Sequence, residues 1–484
     1  MAAGLEAAWQ WLQQAGGQIS LTDDSRVLRA GEYFLAYPGV AGDGRRHIAA
    51  ALQAGAAGVL WEAVGFEWQS EWAVPNLPVS GLKQWVGELS SLSLGEPTQH
   101  MWMIGVTGTN GKTSCAQWIA EVLSGAGKKT AVVGTLGNGF PGQMMPATHT
   151  TPLAVALQKM LAGMRQEGAE AIAMEVSSHG LEQGRVNGVA FDVAVLTNLS
   201  RDHLDYHGDM ASYAAAKARL FDWAGLRHAV LNLDDPFGGQ MQAHLQGKPV
   251  EVLGYGFERG ELRATNLRAT AAGVRFDVTT PWGNTEMVSP LLGRFNVSNL
   301  LASLGALLVS GVQLEAAVAG LQKVAPPAGR MQRLGGNGKP TVVVDYAHTP
   351  DALEKVLHTL RELLPAGAGE LHCVFGCGGD RDKGKRPLMG KVAGELADQV
   401  MLTSDNPRSE DPLALLADIE SGMCCAYAVQ PDRALAIAEA IRRAQASDIV
   451  LIAGKGHEDY QEINGIRLPF SDVDAASRAL QDWV

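Results

Sequence analysis

Gly105-Val106-Thr107-Gly108-Thr109-Asn110-Gly111-Lys112-Thr113-Ser114 follows an apolar run, Met101 to Val106, and leads into a helical stretch from Cys115 to Leu123. A strand, a glycine-rich turn and a helix in that order make a phosphate loop. Glycines let backbone N–H groups turn inward around an oxyanion, and the helix N-terminus adds its dipole. Lys112 supplies positive charge, and the Thr113 hydroxyl can ligate magnesium. The strict GxxxxGK[ST] spacing would need glycine at 106, where Val106 stands, so the match is to the shorter Gly108-x-x-Gly111-Lys112-Thr113. A glycine-rich turn before a helix is by itself common; strand, lysine, threonine and helix together favour phosphate binding.

Outward from this loop, strand-like runs at Ala131 to Val133, Ala171 to Met174, Val193 to Leu196 and Ala229 to Leu231 alternate with helical stretches such as Leu153 to Met164. The last third repeats the pattern at Thr341 to Val344, Leu371 to Phe375, Val400 to Leu402 and Ile449 to Ala453. Both regions read as α/β with mostly parallel sheets. The first 98 residues are mixed α/β in a less certain order. A polar, turn-forming break at 90–100 and a proline- and glycine-rich break at 326–340 place the expected boundaries near 98 and 333. The expected domains are therefore 1–98, 99–333 and 334–484, and a chain of 484 residues suits three domains of roughly 100–200 residues each.

Composition narrows the function. Lys plus Arg total 39 against 51 Asp plus Glu, a net charge of −12, which disfavours nucleic-acid coating and leaves room for local basic pockets around a small anion. Five cysteines, Cys115, Cys373, Cys377, Cys424 and Cys425, show no CxxC pair and read as buried reduced thiols. The first residues lack a basic region and apolar core of a secretory signal, so a cytoplasmic protein is expected. Phe295 to Leu314 carries no charge, but asparagines and serines interrupt it, so it reads as a buried helix and no membrane insertion is expected.

Hard cations want oxygen ligands, and in parallel sheets ligands gather at the carboxyl edge. There stand Glu175-Val176-Ser177-Ser178-His179-Gly180 and Ser200-Arg201-Asp202-His203-Leu204-Asp205. Singly, Glu175 or His203 is an ordinary polar loop residue and Lys217 a solvated helix face; beside the phosphate loop they become a candidate metal cluster.

Taken together, Gly108 to Thr113, Glu175 with His179, Asn198 to Asp205, Lys217, Gly293-Arg294-Phe295-Asn296-Val297-Ser298-Asn299, Gly329-Arg330-Met331 and Asp345 to Pro350 resemble the Mur ligases, ATP-dependent amide-forming enzymes of peptidoglycan assembly. The resemblance implies three domains: an N-terminal one for the UDP end of the substrate, a central P-loop ATPase and a C-terminal Rossmann-like one for the incoming amino acid. It implies ATP bound by Gly108, Thr109, Asn110, Gly111, Lys112, Thr113, Ser114, Asn296, Asn299, Arg330 and Asp345, with Mg2+ on Thr113, Glu175, His203 and Lys217. Lys112, Glu175, His203 and Lys217 are the expected catalytic set. Lys217 matches a lysine carried as a CO2-derived carbamate (N6-carboxylysine), which turns a cation into an anionic oxygen ligand. Asn296 and Asn299, three apart, would share one helix face.

The C-terminal stretch Thr403-Ser404-Asp405-Asn406-Pro407-Arg408 resembles the signature of family members that add meso-diaminopimelate. Diaminopimelate differs from lysine by one carboxylate, which the Arg408 fork can pair bidentately, leaving Arg408 unpaired when lysine binds. By the same resemblance Arg381, Asp405, Asn406, Pro407, Arg408, Gly454 and Glu458 form the amino-acid pocket, with Glu458 facing the distal ammonium. Without the resemblance, Asp405 to Arg408 is an Asx-Pro turn with a surface arginine. Thr150, Thr151, Ser177, Gln183 and Arg185 match contacts to a UDP-muramyl dipeptide, and Ser25 a uridine-end contact; His149 and Val40 depart from the family pattern and are left out.

The implied reaction joins diaminopimelate to the D-glutamate γ-carboxylate of that dipeptide through an acyl phosphate, in a monomer with small-molecule partners only. A lysine-adding relative or a folylpolyglutamate synthetase shares the ATPase core. A nucleotide switch has no use for the pocket at 405–408. A dinucleotide oxidoreductase fits poorly, because Arg381 stands where GxGxxG needs its third glycine.

Overall fold

The computed structural model describes residues 3–14, 16–17, 19–39, 42–270, 273–364 and 368–483. Val40 lies outside them. Three major sheets follow one another along the chain. The first has four parallel strands in chain order, Leu21–Thr22, Tyr33–Ala36, Gly58–Glu62 and Asn76–Val79. Alternation sends Leu35 and Leu60 against the helices Ala3–Gln14 and Leu82–Ser93, while Phe34 and Val59 pack on Ile48 and Ala51 on the other face.

The second sheet has eleven strands. Its parallel centre runs Glu251–Gly256, His228–Asn232, Val193–Leu196, Trp102–Thr107, Ala171–Glu175 and Thr130–Gly134, so the expected strands pair side by side. Ile104 and Val106 join a core with the helices Lys112–Gly125 and Arg294–Val309, and Met103 joins a second core across the sheet. Buried on both faces, these strands read as continuous apolar runs. Antiparallel strands extend both edges: Gly137–Phe140 and Gln143–Met145 on one, and Gly273–Thr280 and Gly283–Ser289 beyond the parallel Leu262–Thr270 on the other. The uncharged stretch after Phe295 lies mostly in the Arg294–Val309 helix, whose Leu300, Leu301, Leu304 and Leu307 are all buried. No helix among the described residues is long and apolar enough to cross a membrane.

The third sheet runs Gln332–Gly335, Thr341–Asp345, Ile449–Ala453, Leu371–Phe375, Gln399–Leu402 and Ala428–Val429; only its first strand is antiparallel to its neighbour. Gln332–Gly335 therefore crosses the expected division at 333 and hydrogen-bonds into the C-terminal sheet. Cys115, Cys373 and Cys377 are buried free thiols, but Cys424 is exposed and Cys425 half-buried, because both sit in the surface segment after the helix Pro412–Glu420. In this respect the expectation of buried thiols is corrected.

A fully enclosed ion pair ties the C-terminal lobe together. The Arg433 fork donates to Asp472, Nε to Oδ1 and Nη2 to Oδ2 at 2.7 Å each, and also to the carbonyls of Ser404 and Ala453. Both side chains are 0% exposed. Removing one partner of such a pair leaves an uncompensated buried charge. Asp472→Ala is expected to destabilise the C-terminal lobe by about 3–5 kcal/mol, measured from its urea unfolding transition; a loss below about 1 kcal/mol would contradict this role.

Candidate active site

The phosphate loop sits where the strand Trp102–Thr107 meets the helix Lys112–Gly125, at the carboxyl edge of the central sheet. Two glycines are dictated by packing as well as backbone. Gly108 (φ 145°) and Gly111 (φ 88°) occupy conformations side chains rarely adopt, and a Cβ on either would overlap Thr197 Oγ1 or Asn299 Oδ1. Asn198 braces the loop: its Oδ1 accepts from Asn110 N at 3.0 Å, its Nδ2 donates to Asn110 O at 3.0 Å, and its carbonyl accepts from Thr109 N at 2.9 Å. The Thr109 hydroxyl donates to Ser200 O at 3.1 Å. Lys112 Nζ donates to the carbonyls of Gly108 and Thr109, both at 2.9 Å. Burial pulls its ammonium below the usual range, with Glu175 opposing.

Glu175 ends the strand Ala171–Glu175 and is buried. It accepts from Thr113 Oγ1 at 3.0 Å, from Thr135 N at 2.7 Å and from Thr135 Oγ1 at 3.2 Å. Of the four expected metal ligands, Thr113 and Glu175 thus meet directly. His203 has no hydrogen bond to that pair among the described residues: it holds φ 56° at the N-terminus of the Leu204–His207 turn of helix, and its Nε2 lies 3.3 Å from Asp202 Oδ2. Lys217 is 1% exposed, and its Nζ donates to Gly108 O at 2.8 Å above the Tyr213 ring. No carboxylate pairs with it among the described residues. Burial, with Lys112 nearby, pulls its ammonium well below the usual lysine range.

No group of three or more His, Cys, Asp or Glu able to hold a metal is present among the described residues. A hydroxyl and one carboxylate suit Mg2+, which takes one or two carboxylates and completes its shell with waters and substrate phosphates. A carbamate on Lys217 would add the missing anionic oxygens.

A cavity of about 680 Å³ opens beside the loop, and Asn110, Gly111, Thr113, Ser114, Asn296, Asn299, Arg330 and Asp345 all line it. Asn299 Nδ2 donates to Asn296 Oδ1 at 3.4 Å, so the two amides share one face. Arg330 stacks over the Tyr346 ring at 4.4 Å and reaches Thr113 Oγ1 at 3.4 Å, while its Nε is buried without a partner. Asp345 caps the backbone N–H groups of Met331 (2.7 Å) and Ala347 (2.8 Å). Asn110 Nδ2 donates to Asp351 across the two lobes at 3.1 Å.

Next to Glu175, Thr151 Oγ1 donates to Glu175 O at 2.9 Å and lies 3.1 Å from Ser177 Oγ; Thr150 Oγ1 lies 2.9 Å from Thr135 Oγ1. Arg185 donates to Thr151 O (2.9 Å) and to Gln183 Oε1 (2.8 Å). These expected contacts are linked by hydrogen bonds into one group around Thr151 and Glu175, with Thr151 itself buried. Ser25 lies in the turn after Leu21–Thr22, with no hydrogen bond to them among the described residues.

In the C-terminal lobe, Arg408 (φ 53°) donates through Nη1 to Gly379 O at 2.7 Å, and its backbone pairs with Glu462 O and Asn464 N in the hairpin Tyr460–Ile463/Ile466–Pro469. Asn406 Nδ2 donates to Glu458 at 2.8 Å. Gly454 (φ 117°) lets the chain pass Asp405, whose Oδ2 would sit 2.9 Å from a Cβ there. Pro407 is buried, whereas Arg381 is exposed and donates to the Asp380 carbonyl at 2.9 Å.

The sequence reading missed three residues. Lys455 is 0% exposed, with Nζ 2.9 Å from Asn406 Oδ1 and 3.1 Å from Glu458 Oε2. Thr135 carries no motif. Asp202, inside a quoted stretch, gathers His203, His348 and Lys385. Burial alone would raise its carboxyl, but Lys385 and the two histidines hold it well below the usual carboxylate range.

His179 stacks edge-on against His203 at 4.8 Å and lies 5.4 Å from His207. Burial, then the charge of His207 and Arg185, pushes its imidazole down to about 4. It is therefore neutral at pH 7 and protonates only as the pH falls toward 4. Histidine side-chain NMR should show this ring titrating near 4; a midpoint close to the unperturbed ~6.5 would contradict the environment described.

Comparison with known proteins follows the same three regions. Residues 106–307 match the Mur ligase middle domain, 329–456 the Mur ligase glutamate ligase domain and 20–93 the Mur ligase family catalytic domain. The chain is 52% identical over 475 residues to UDP-N-acetylmuramoyl-L-alanyl-D-glutamate 2,6-diaminopimelate ligase of Chromobacterium violaceum, covering 98% of this chain and 96% of that protein. It is 52% identical over 465 residues to the protein of the same name from Pseudomonas aeruginosa, covering 96% and 95%. A solved structure of a ligase with that name superposes with a TM-score of 0.69 at 41% identity, over 96% of this chain and 94% of that one. Fold, phosphate loop and near-complete coverage agree: the chain belongs to the Mur ligase family.

Proposed function

We propose that this enzyme uses ATP to join meso-diaminopimelate to the D-glutamate γ-carboxylate of UDP-N-acetylmuramoyl-L-alanyl-D-glutamate, a step of peptidoglycan synthesis that serves cell-wall growth and division. One observation carries the choice of amino acid. In a single chain with the phosphate loop, Glu458 accepts from Asn406 and Arg408, two residues on, donates to Gly379 O, offering an anion for an ammonium and a fork for a carboxylate. The relatives above, by their names, act on the same pair of substrates.

In this reading residues 1–98 hold the uridine end through Ser25, 99–333 bind ATP and 334–484 bind the amino acid, with the strand Gln332–Gly335 crossing the second boundary. Thr150, Thr151, Ser177, Gln183 and Arg185 hold the peptide and diphosphate portions. The γ-carboxylate attacks the γ-phosphorus of ATP, giving an acyl phosphate and ADP. The amine then adds to the acyl carbon, and the tetrahedral intermediate expels phosphate as the nitrogen loses a proton. The protein contributes positioning and charge neutralisation: Lys112 faces the β- and γ-phosphates, while Asn296, Asn299, Arg330 and Asp345 hold the nucleotide. Mg2+, held by Thr113 and Glu175 with His203 and Lys217 completing a second site, would neutralise the phosphate oxygens.

The lysine proposal has a physical basis. Its burial without a carboxylate favours the neutral amine, and the neutral amine is the form that adds to CO2. The ATP and nucleotide-sugar substrates place the work in the cytoplasm, and since all three lobes contribute to one reaction we take the working unit to be a monomer.

Two measurements test this reading. Lys217→Ala is expected to lower turnover about 100-fold or more, with partial recovery in formate or acetate; undiminished turnover would sink the carbamate. Arg408→Ala should cut the kcat/KM ratio for diaminopimelate over lysine by about 100-fold or more. An unchanged ratio would remove Arg408 from amino-acid selection.

A further inference from the structure

Four charged side chains join the central and C-terminal lobes, and one of them, Asp202, also lies against His203. Arg201 presents its fork to Asp382, Nε to Oδ2 at 3.0 Å and Nη2 to Oδ1 at 3.1 Å. The next residue, Asp202, lies 3.4 Å from Lys385 Nζ. Gly384 shows that this approach is built in. Its backbone is helical (φ −64°, ψ −17°), a conformation any residue adopts, so the chain does not need glycine for its own sake. A Cβ there would run into Arg201 Nη2, so the guanidinium would have to shift and its two-pronged pairing with Asp382 would be disturbed.

Each side of the bridge is tied to one ligand site. On the central side, Asn198 and Ser200 hydrogen-bond to Thr109 and Asn110 of the phosphate loop. On the other, Gly379 N donates to Asn406 O at 2.9 Å, Arg408 Nη1 donates to Gly379 O, and Arg381 stands on the same loop. We propose that Arg201–Asp382 and Asp202–Lys385 form an interdomain clamp through which ATP and diaminopimelate strengthen each other's binding, with Arg201 and Lys385 as positioning residues. This rests on the assignment of the two ligand sites given above.

The energetics suit a switch. Arg201 is 41% exposed on its side chain, so its pair with Asp382 adds only modest stability. Asp202 and Lys385 are each 5% exposed on the side chain; Asp202 keeps the His203 backbone N–H within its own lobe, but its cationic partner Lys385 arrives only when the lobes meet. A ligand that orders either loop in its closed position prepays part of the ordering needed for the clamp, and the second ligand then binds to a larger closed population. Linkage makes the effect reciprocal.

The test measures binding of a non-hydrolysable ATP analogue with Mg2+ by calorimetry, in the presence of the UDP-dipeptide, with and without saturating meso-diaminopimelate. The wild type should show affinity raised about 5–150-fold by the amino acid. Arg201→Met should bring that ratio to about 1 while moving the affinity for the analogue alone by no more than about 3-fold. Gly384→Ala, which changes no charge, should do the same, and Arg201→Lys should recover part of the ratio. Arg201→Asp combined with Asp382→Arg should restore coupling that Arg201→Asp alone abolishes. Retention of the wild-type ratio in Arg201→Met and Gly384→Ala overturns the clamp. A wild type that binds both ligands without coupling also overturns it while leaving the functional reading intact, whereas a wild type that binds no diaminopimelate refutes that reading and the clamp with it.

Discussion

The buried carboxylate of Glu175 organises the catalytic edge. It accepts the Thr113 hydroxyl from the phosphate loop and both the backbone N–H and hydroxyl of Thr135 from the neighbouring strand's loop. Its own carbonyl accepts the Thr151 hydroxyl. Segments that follow Trp102–Thr107, Thr130–Gly134 and Gln143–Met145 are thereby held by one residue at the carboxyl edge of the parallel centre, where such sheets present ligands. A buried anion stripped of these donors would be costly. A carboxylate so held beside the phosphate loop suits the role proposed above, a cation between Glu175 and a nucleotide.

Charge explains much of the remaining architecture. An acidic chain of net −12 sets Lys112, Lys217 and Arg330 around the phosphate loop, and Arg381, Arg408 and Lys455 around the proposed amino-acid pocket. Most are satisfied by carbonyls, amide oxygens or carboxylates already present. Lys217 is the exception in kind: enclosed, with a single backbone acceptor, and close enough to Lys112 to be repelled. The carbamate proposed for it would replace that repelled cation with an anion.

What could be read from the chain depended on the range of the interaction. The phosphate loop was legible because strand, glycines, lysine and helix cap are contiguous, and the parallel strands were legible because burial on both faces makes them apolar throughout. The three strands of 262–289 were not, since their exposed alternate residues (Arg263, Thr265, Arg275, Asp277) dilute the apolar signal. Lys455 carries no local signal in its glycine-rich loop; only the fold brings Asn406, 49 residues away, to its ammonium. Asp202 and Lys385 stand 183 residues apart, and no local pattern marks their meeting. Gly384 is plainer still, because the group a Cβ would meet there is a side chain in another lobe.

The most direct test of the whole account is the reaction of the unmodified enzyme: phosphate release from ATP in the presence of UDP-N-acetylmuramoyl-L-alanyl-D-glutamate, with the nucleotide product weighed by mass spectrometry. The account predicts release that depends on an added amino acid, with one diaminopimelate gained per phosphate and lysine a far poorer substitute. Lysine equal to or better than diaminopimelate, or phosphate release that needs no amino acid, would contradict it.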